Sequence, residues 1–375
     1  MTGDWKISLK TLSVAVPAVS QGEYDISIGT GYLSHLWPEL NRRYNGRELF
    51  VVTDSAVAGA GHLETLLAGR AAKTYVIDPP GESSKQMQTV TAILEEMEKQ
   101  FLGRDSVIIA LGGGTVGDIA GFAAALFKRG VPVVQIPTTT VSQADSAIGG
   151  KTGVDSSLSK NAFGAFWQPS AVYIDTATLA TLDDLQYRAG LAESVKHAAI
   201  MDARYFAYLE GAVDALQRKE PATLEHLAME NCRIKASVVT EDPMEKNKRR
   251  ILNYGHTIGH AVESAGGYSL LHGEAVAIGM VAAGRIEKEL GLVKDDRLDR
   301  IQRLLTALGL PTRIPRTYSK RALSDLLRRD KKAVGGRPRF VLLESLGRAL
   351  QRNGQWAHQV DPKIIETIIP RILAG

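Results

Sequence analysis

Short apolar runs broken by Gly, Pro and Asp dominate the first half of the chain. Residues 24–28, 48–53, 73–77, 107–111 and 133–136 are strand-length and rich in β-branched side chains. Between them the period changes. Residues 84–101 place Val90, Ile93, Leu94 and Met97 on one helical face, and residues 117–128 form a second helix of small side chains. Strands alternating with helices predict a mostly parallel sheet covered on both faces, because a parallel pairing needs a crossover to return the chain.

Past Ile174-Asp175 the strand signals thin out. Helical patterns follow over residues 187–210, 221–239, 252–264 and 273–290, with one late strand expected at 339–343 after the Gly335-Gly336 turn. The expected fold is therefore an α/β N-terminal domain with a Rossmann-like sheet, residues 1–177, followed by a mainly α-helical domain, residues 178–375. Neither an internal repeat nor a low-complexity segment interrupts this pattern.

A length of 375 residues is enough for two cores. With 45 Lys and Arg against 41 Asp and Glu, the net charge of +4 is a small surplus with no concentrated stripe, which argues against nucleic acid as a partner. Two short basic runs, Lys246-Asn247-Lys248-Arg249-Arg250 and Arg328-Arg329-Asp330-Lys331-Lys332, read either as solvated helix ends or as parts of an anion site. The single cysteine, Cys232, excludes an intramolecular disulfide and a multi-thiolate zinc site. No run of about 18 apolar residues is present, so a cytoplasmic protein without a membrane span is expected.

Chemistry first appears where the strand at 107–111 runs into Gly112-Gly113-Gly114-Thr115-Val116-Gly117-Asp118 and then a helix. Glycines admit phosphate oxygens close to the backbone, and the free amides of a helix start favour an anion. A pyrophosphate is the natural guest. The spacing is neither Gly-x-Gly-x-x-Gly nor a Walker loop, and a tight structural turn is the plain alternative. Asp54 ends an earlier strand, where a carboxylate can take ribose hydroxyls, and Thr138 and Thr139 follow the strand after the glycine helix.

A second cluster lies near the middle of the chain. In Asn253-Tyr254-Gly255-His256-Thr257-Ile258-Gly259-His260 two imidazoles stand four apart, and His272-Gly273-Glu274 opens the next apolar helix. Neutral imidazole is the commonest zinc ligand. A catalytic zinc takes three protein ligands, and Glu193, a carboxylate among apolar neighbours, is the donor the pattern suggests.

Taken together, these segments resemble the 3-dehydroquinate synthase family of sugar-phosphate cyclases, from about Glu82 to Met280. The resemblance also covers Arg129-Gly130-Val131, Gln135-Ile136-Pro137-Thr138-Thr139, Asp145-Ser146-Ala147-Ile148-Gly149-Gly150-Lys151, Lys160-Asn161, Gly190-Leu191-Ala192-Glu193 and His272-Gly273-Glu274-Ala275-Val276. It implies conversion of 3-deoxy-D-arabino-heptulosonate 7-phosphate to 3-dehydroquinate and phosphate, a lyase step of the shikimate route to aromatic amino acids, with NAD used and regenerated in each turnover. It also implies a divalent metal, Zn or Co, and a homodimer.

Residue roles carry over by matching position. Glu193, His256 and His272 are implied as metal ligands. Lys151, Asn161, Arg249 and Asn253 are implied to contact the substrate, with Arg129 reaching the phosphate of its own subunit or, across a dimer interface, that of a neighbour. Lys196, Lys235, His260 and one of Lys331 and Lys332 complete the set, and Asp145 lies beside the substrate hydroxyls. For NAD the matching positions are Asp54, Glu82, Lys85, Gly112, Gly113, Gly114, Thr115, Gly117, Asp118, Thr138, Thr139 and Lys160.

Two departures are visible. Asp155-Ser156-Ser157-Leu158-Ser159 replaces the family's usual Asn-His-Pro run, and Asn247 stands where glycine is frequent. Rival readings are a metal- and NAD-dependent polyol dehydrogenase, a sister cyclase making valiolone or scyllo-inosose products, and an NAD-binding regulator. A neutral polyol would leave Lys151, Arg249 and the late lysines without an anion, and a regulator has no need of metal ligands.

Overall fold

The computed structural model describes residues 23–267, 269–293, 295–328 and 338–373. The expected contacts Lys331 and Lys332 lie outside the described residues. Strands β1 Ile26–Gly29, β2 Glu48–Asp54, β3 Lys73–Ile77, β4 Ser106–Gly112, β5 Val133–Pro137, β6 Lys151–Val154, β7 Phe163–Phe166 and β8 Ala171–Asp175 build the first half. Six of them form one sheet in the order β1-β8-β5-β4-β2-β3, with every pairing parallel. Beside these strands lie helices α1 Leu33–Arg43, α2 Met87–Lys99 and α3 Gly114–Leu126.

Alternation along β4 explains the layering. Val107, Ile109 and Leu111 pack with Leu36 and Leu40 of α1, while Ile108 and Ala110 pack with Val90 and Ile93 of α2 and Ile119 of α3. Both faces of the strand are thus covered, as its nearly continuous apolar sequence requires. Each of its large side chains contributes about 1.5–3 kcal/mol by leaving water.

Strand order also creates a site. β2 connects outward to β3, whereas β4 connects the other way to β5, so the loops after β2 and β4 diverge and open a crevice at their carboxyl ends. Ligands of open α/β sheets bind at such a switch point. Asp54 and Gly112 flank it.

The helical half contains α4 Asp184–Met201, α5 Pro221–Glu241, α6 His256–Ala265 and α7 His272–Glu289. Glycine allows these helices to approach closely. A Cβ on Gly273 would lie 1.7 Å from the carbonyl oxygen of Ala189, and one on Gly279 would lie 1.9 Å from that of Gly255. α7 is therefore pressed against both α4 and α6.

Several expectations need correction. The helix expected over 187–210 is two, because Asp202 leaves helical geometry and caps the helix Ala203–Gly211 by accepting from the amides of Arg204 and Tyr205. The helix expected from 252 starts at His256, since Lys248–Asn253 is a 3₁₀ turn and Gly255 has φ +77°. The strand expected at 339–343 is two short ones, Arg339–Phe340 pairing with His358–Gln359 and Leu343–Ser345 with Arg348–Ala349. Helix α1, whose interior Pro38 reads as a breaker, and the antiparallel β6–β7 hairpin were not anticipated.

Candidate active site

α4 carries Glu193 and Lys196 about one turn apart on a fully buried stretch. Three helices then converge. Nε2 of His256, at the start of α6, lies 3.7 Å from Oε1 of Glu193, and Nε2 of His272, at the start of α7, lies 3.6 Å from the same oxygen. These three residues form a group able to hold a metal ion. Oε1 of Glu193 is buried and has no hydrogen-bond partner in the protein, a costly arrangement unless a cation meets it.

Local hydrogen bonds orient both rings. Nδ1 of His256 lies 3.1 Å from the carbonyl oxygen of Tyr254, so it carries the proton and leaves the Nε2 lone pair facing Glu193. This fixes the tautomer a metal ligand needs. Burial and the Lys196 ammonium hold His256 well below the usual imidazole range. Burial opposes protonation of His272 as well, but Glu193 and Glu263 outweigh it and raise that ring above its ordinary value.

Beside the metal candidates lies a cluster of charges. The chain after β5 winds into a π-turn, Ser142–Ser146, a geometry that recurs at functional sites. It delivers Asp145, whose Oδ1 lies 2.6 Å from Nζ of Lys235, 3.9 Å from Nζ of Lys196 and 3.3 Å from Nε2 of His197. Burial alone would lift the Asp145 carboxyl, yet Lys235 and Lys196 hold it well below the carboxylate range. Burial lowers Lys235 to about 8 despite Asp145. Lys196 also pairs with Glu193, and that pairing outweighs burial, which by itself would raise Glu193.

The remaining expected contacts fall in three places. Lys151, at the start of β6, and Asn253 converge on Glu245, an acid that the sequence reading missed. Arg249 is fully enclosed and donates to the carbonyls of Gly149 and Pro243, so it joins the turn before β6 to the helical half. Asn161 is exposed at φ +51° and donates its amide to Asp155. His260 stands at the rim, its ring 5.4 Å from that of His256 and 6.0 Å from that of His272. Arg129 is not brought to the cluster. It lies beyond the far end of α3, about 20 Å along the helix axis from Gly114 at 1.5 Å per residue.

At the sheet edge, Gly112 closes β4 and Gly114 opens α3, as the strand-loop-helix reading predicts. Packing explains part of the motif, since a Cβ on Gly112 would lie 2.6 Å from Val116 and one on Gly117 2.7 Å from Gln135. Lys85 pairs with Asp118 at 2.7 Å, and Thr115 donates to Glu82 at 3.4 Å. Asp54 accepts the amide of Val57, capping a short helix at the crevice. Thr139 shares a hydrogen-bonded turn with Ser142, which places Thr138 and Thr139 immediately before the π-turn that bears Asp145. Lys160 lies 3.3 Å from Glu82 and 3.9 Å from Glu263, reaching across from the sheet side to α6.

His197 and Glu263 are further acids and bases missed from sequence. Glu263 had a readable signal, since it follows His256 by two helical turns on the same face. His197, next to Lys196, looked like one more helix residue.

Comparison with known proteins matches residues 75–189 to the family model "3-dehydroquinate synthase N-terminal" and residues 190–333 to "3-dehydroquinate synthase C-terminal". A 3-dehydroquinate synthase of Acidithiobacillus ferrooxidans is 44% identical over 340 residues, 88% of this chain and 92% of that protein. Among solved structures, a 2-epi-5-epi-valiolone synthase from Streptomyces hygroscopicus with NAD+ and Zn2+ bound superposes with a TM-score of 0.84 at 30% identity, covering 96% of this chain and 99% of that one. A 2-deoxy-scyllo-inosose synthase complexed with carbaglucose-6-phosphate, NAD+ and Co2+ gives 0.83 at 28% identity, covering 93% and 96%.

Proposed function

Because the chain belongs to the 3-dehydroquinate synthase family, we propose that it converts 3-deoxy-D-arabino-heptulosonate 7-phosphate to 3-dehydroquinate and phosphate. The sequence of events is oxidation at C5, elimination of phosphate, reduction at C5, ring opening and intramolecular aldol closure. The observation that carries this reading is the joint placement of an unpartnered buried Glu193 oxygen between two imidazoles and a cation cluster around Asp145. Identity of 44% to a dehydroquinate synthase, against 30% and 28% to the two sister cyclases, favours this substrate over theirs.

Glu193, His256 and His272 fit a Zn or Co ion: one buried carboxylate oxygen lacks a partner, and both imidazoles direct Nε2 toward it. When bound, such an ion polarises the substrate's C4 and C5 hydroxyls. NAD supplies hydride acceptance and return at C5, held by Gly112, Gly113, Gly114, Thr115 and Gly117 with Asp54, Glu82, Lys85, Asp118, Thr138, Thr139 and Lys160 around the crevice.

Lys151, Asn161 and Asn253 bind the substrate's anionic and hydroxyl groups, and Arg249, enclosed and bonded to the Gly149 and Pro243 carbonyls, adds positive charge behind them. Substrate displaces Glu245 from Lys151 and Asn253, exchanging one internal anion for another. Asp145 accepts from substrate hydroxyls while Lys196 and Lys235 keep it ionised and neutralise charge beside it. The departing phosphate takes the C6 proton, since it is already adjacent, and His260 at the rim serves later proton transfers. Arg129 serves a neighbouring subunit's phosphate site in a homodimer, consistent with its distance from its own cluster. One of Lys331 and Lys332 closes the set. Among the described residues no helix is long and apolar enough to cross a membrane, and a cytoplasmic setting is proposed on the family assignment.

The test incubates purified protein, NAD and zinc with the heptulosonate phosphate while following phosphate, dehydroquinate and NADH together. Equal phosphate and dehydroquinate without net NADH is the expected result. Accumulating NADH would instead assign a dehydrogenase, and turnover of glucose phosphate or sedoheptulose phosphate alone would assign a sister cyclase.

A further inference from the structure

Glu263 belongs to neither the expected metal ligands nor the expected substrate contacts, yet it is almost fully buried against them. Its side chain is 6% exposed. Oε2 lies 3.3 Å from Nδ1 of His272, on the side of the ring opposite the nitrogen that faces Glu193, and Oε1 lies 3.9 Å from Nζ of Lys160. Each carboxylate oxygen is thus engaged, and the group is kept from rotating away from His272.

Two metal-capable groups share His272: Glu193 with His256, and Glu263 with His260. They use opposite ring nitrogens, so one cation cannot take both. Only in the first group is a buried carboxylate oxygen left without a partner. In the second, both Glu263 oxygens already have partners and His260 is exposed. Backbone packing favours the same choice, because a Cβ on Gly273 would strike the carbonyl of Ala189 at 1.7 Å, so α7 presents His272 to α4 at closest approach.

We infer that Glu263 is a positioning residue that grips His272 through Nδ1, fixes its tautomer with Nε2 directed at Glu193, and thereby sets the affinity of the metal site. The inference rests on the reading of Glu193, His256 and His272 as metal ligands. A carboxylate on the far nitrogen makes an imidazole a better donor and removes the entropy of ring rotation. It also gives α6 a second part in the site: His256 supplies a ligand and Glu263, seven positions later on the same face, orients another.

The experiment strips full-length protein of metal and measures zinc affinity by competition with a chromophoric chelator, for wild type, Glu263→Gln, Glu263→Ala, Glu263→Asp and His260→Ala. Glu263→Gln is near-isosteric and guards against a folding defect, checked by thermal melting of the metal-free forms. Expected are one zinc per chain throughout, affinity lowered about tenfold in Glu263→Gln and up to about a hundredfold in Glu263→Ala, and substantial recovery in Glu263→Asp. His260→Ala retains affinity. Wild-type affinity in both Glu263→Gln and Glu263→Ala overturns the positioning role alone. Loss of the zinc equivalent in both Glu263→Ala and His260→Ala overturns it in favour of direct ligation. Wild type that takes up no zinc overturns the ligand reading, and this inference with it.

Discussion

At the sheet edge Lys85 closes on Asp118 at 2.7 Å, whereas among the helices Lys196 and Lys235 crowd one Asp145 and a Glu193 oxygen is buried without a hydrogen bond. The first carboxylate is closed by a lysine within the chain; in the second region one carboxylate oxygen has no hydrogen bond and faces two imidazole nitrogens. Glycines differ in the same way. A Cβ on Gly114 in the glycine loop would meet only Ser146, its hydroxyl at 2.9 Å and its Cβ at 3.6 Å, a side chain rather than backbone. One on Gly273 would overlap the backbone of Ala189 at 1.7 Å. The conspicuous glycine motif is therefore not where glycine is most strictly required. The inconspicuous glycine beside His272 is, because it sets the spacing of the helices that form the metal group.

The largest expected effect comes from removing a ligand. His272→Ala should lose bound zinc and lower turnover by about two to three orders of magnitude, the equivalent of several kcal/mol of transition-state stabilisation, while circular dichroism stays native. Unchanged metal content would remove His272 from the ligand set and erase the contrast between the two regions.

Next in size is the pair of glycine substitutions. Gly273→Ala should cost about 3 kcal/mol or more in urea unfolding, because backbone cannot move aside as a side-chain tip can, and should weaken zinc binding as α7 retreats from α4. Gly114→Ala should cost under about 1 kcal/mol, with any loss appearing in the KM for NAD. Equal costs at the two positions would refute the distinction between spacing glycine and loop glycine.

A pH-dependent effect compares two buried carboxylates of the helical half. Glu193 is held low because Lys196 overcomes burial, whereas burial prevails at Glu287 and lifts it to about 8, even though Leu343 donates its amide at 2.8 Å and Arg297 lies 3.9 Å away. Folded Glu287 therefore keeps its proton across a window, from the ordinary value of 4.5 to about 8, in which the unfolded chain has released it. Folding binds a proton there, so this contribution is complete below the window and is lost as pH rises through it. Glu287→Gln should flatten the decline in melting temperature between pH 5 and pH 8. Parallel curves for variant and wild type would show that another group is responsible.

Much of the sheet half was legible. β3 spans the expected residues, and β2, β4 and β5 differ at their ends by one residue, because strand length, alternation and punctuation are local properties. Helices were legible in their interiors and less so at their breaks. The stop at Asp202 depends on a side chain choosing to cap, and the kink at Gly255 on α7 passing directly beneath it. Glu193, His256 and His272 could be nominated from residue type, spacing and family resemblance. Glu245 and His197 could not, since nothing local marks an acid on a loop or a histidine within a helix as the partner of residues some 50 to 90 positions away.

By itself, then, the sequence determined the parallel sheet, the glycine turn at its edge and the inventory of ligating side chains, all of which follow from short-range periodicity and residue chemistry. Tertiary structure alone decided which charges would be satisfied. Whether a carboxylate is closed by a lysine, raised by burial or left open for a cation depends on how near two helices can come, and that distance is set by contacts as remote as Gly273 against Ala189.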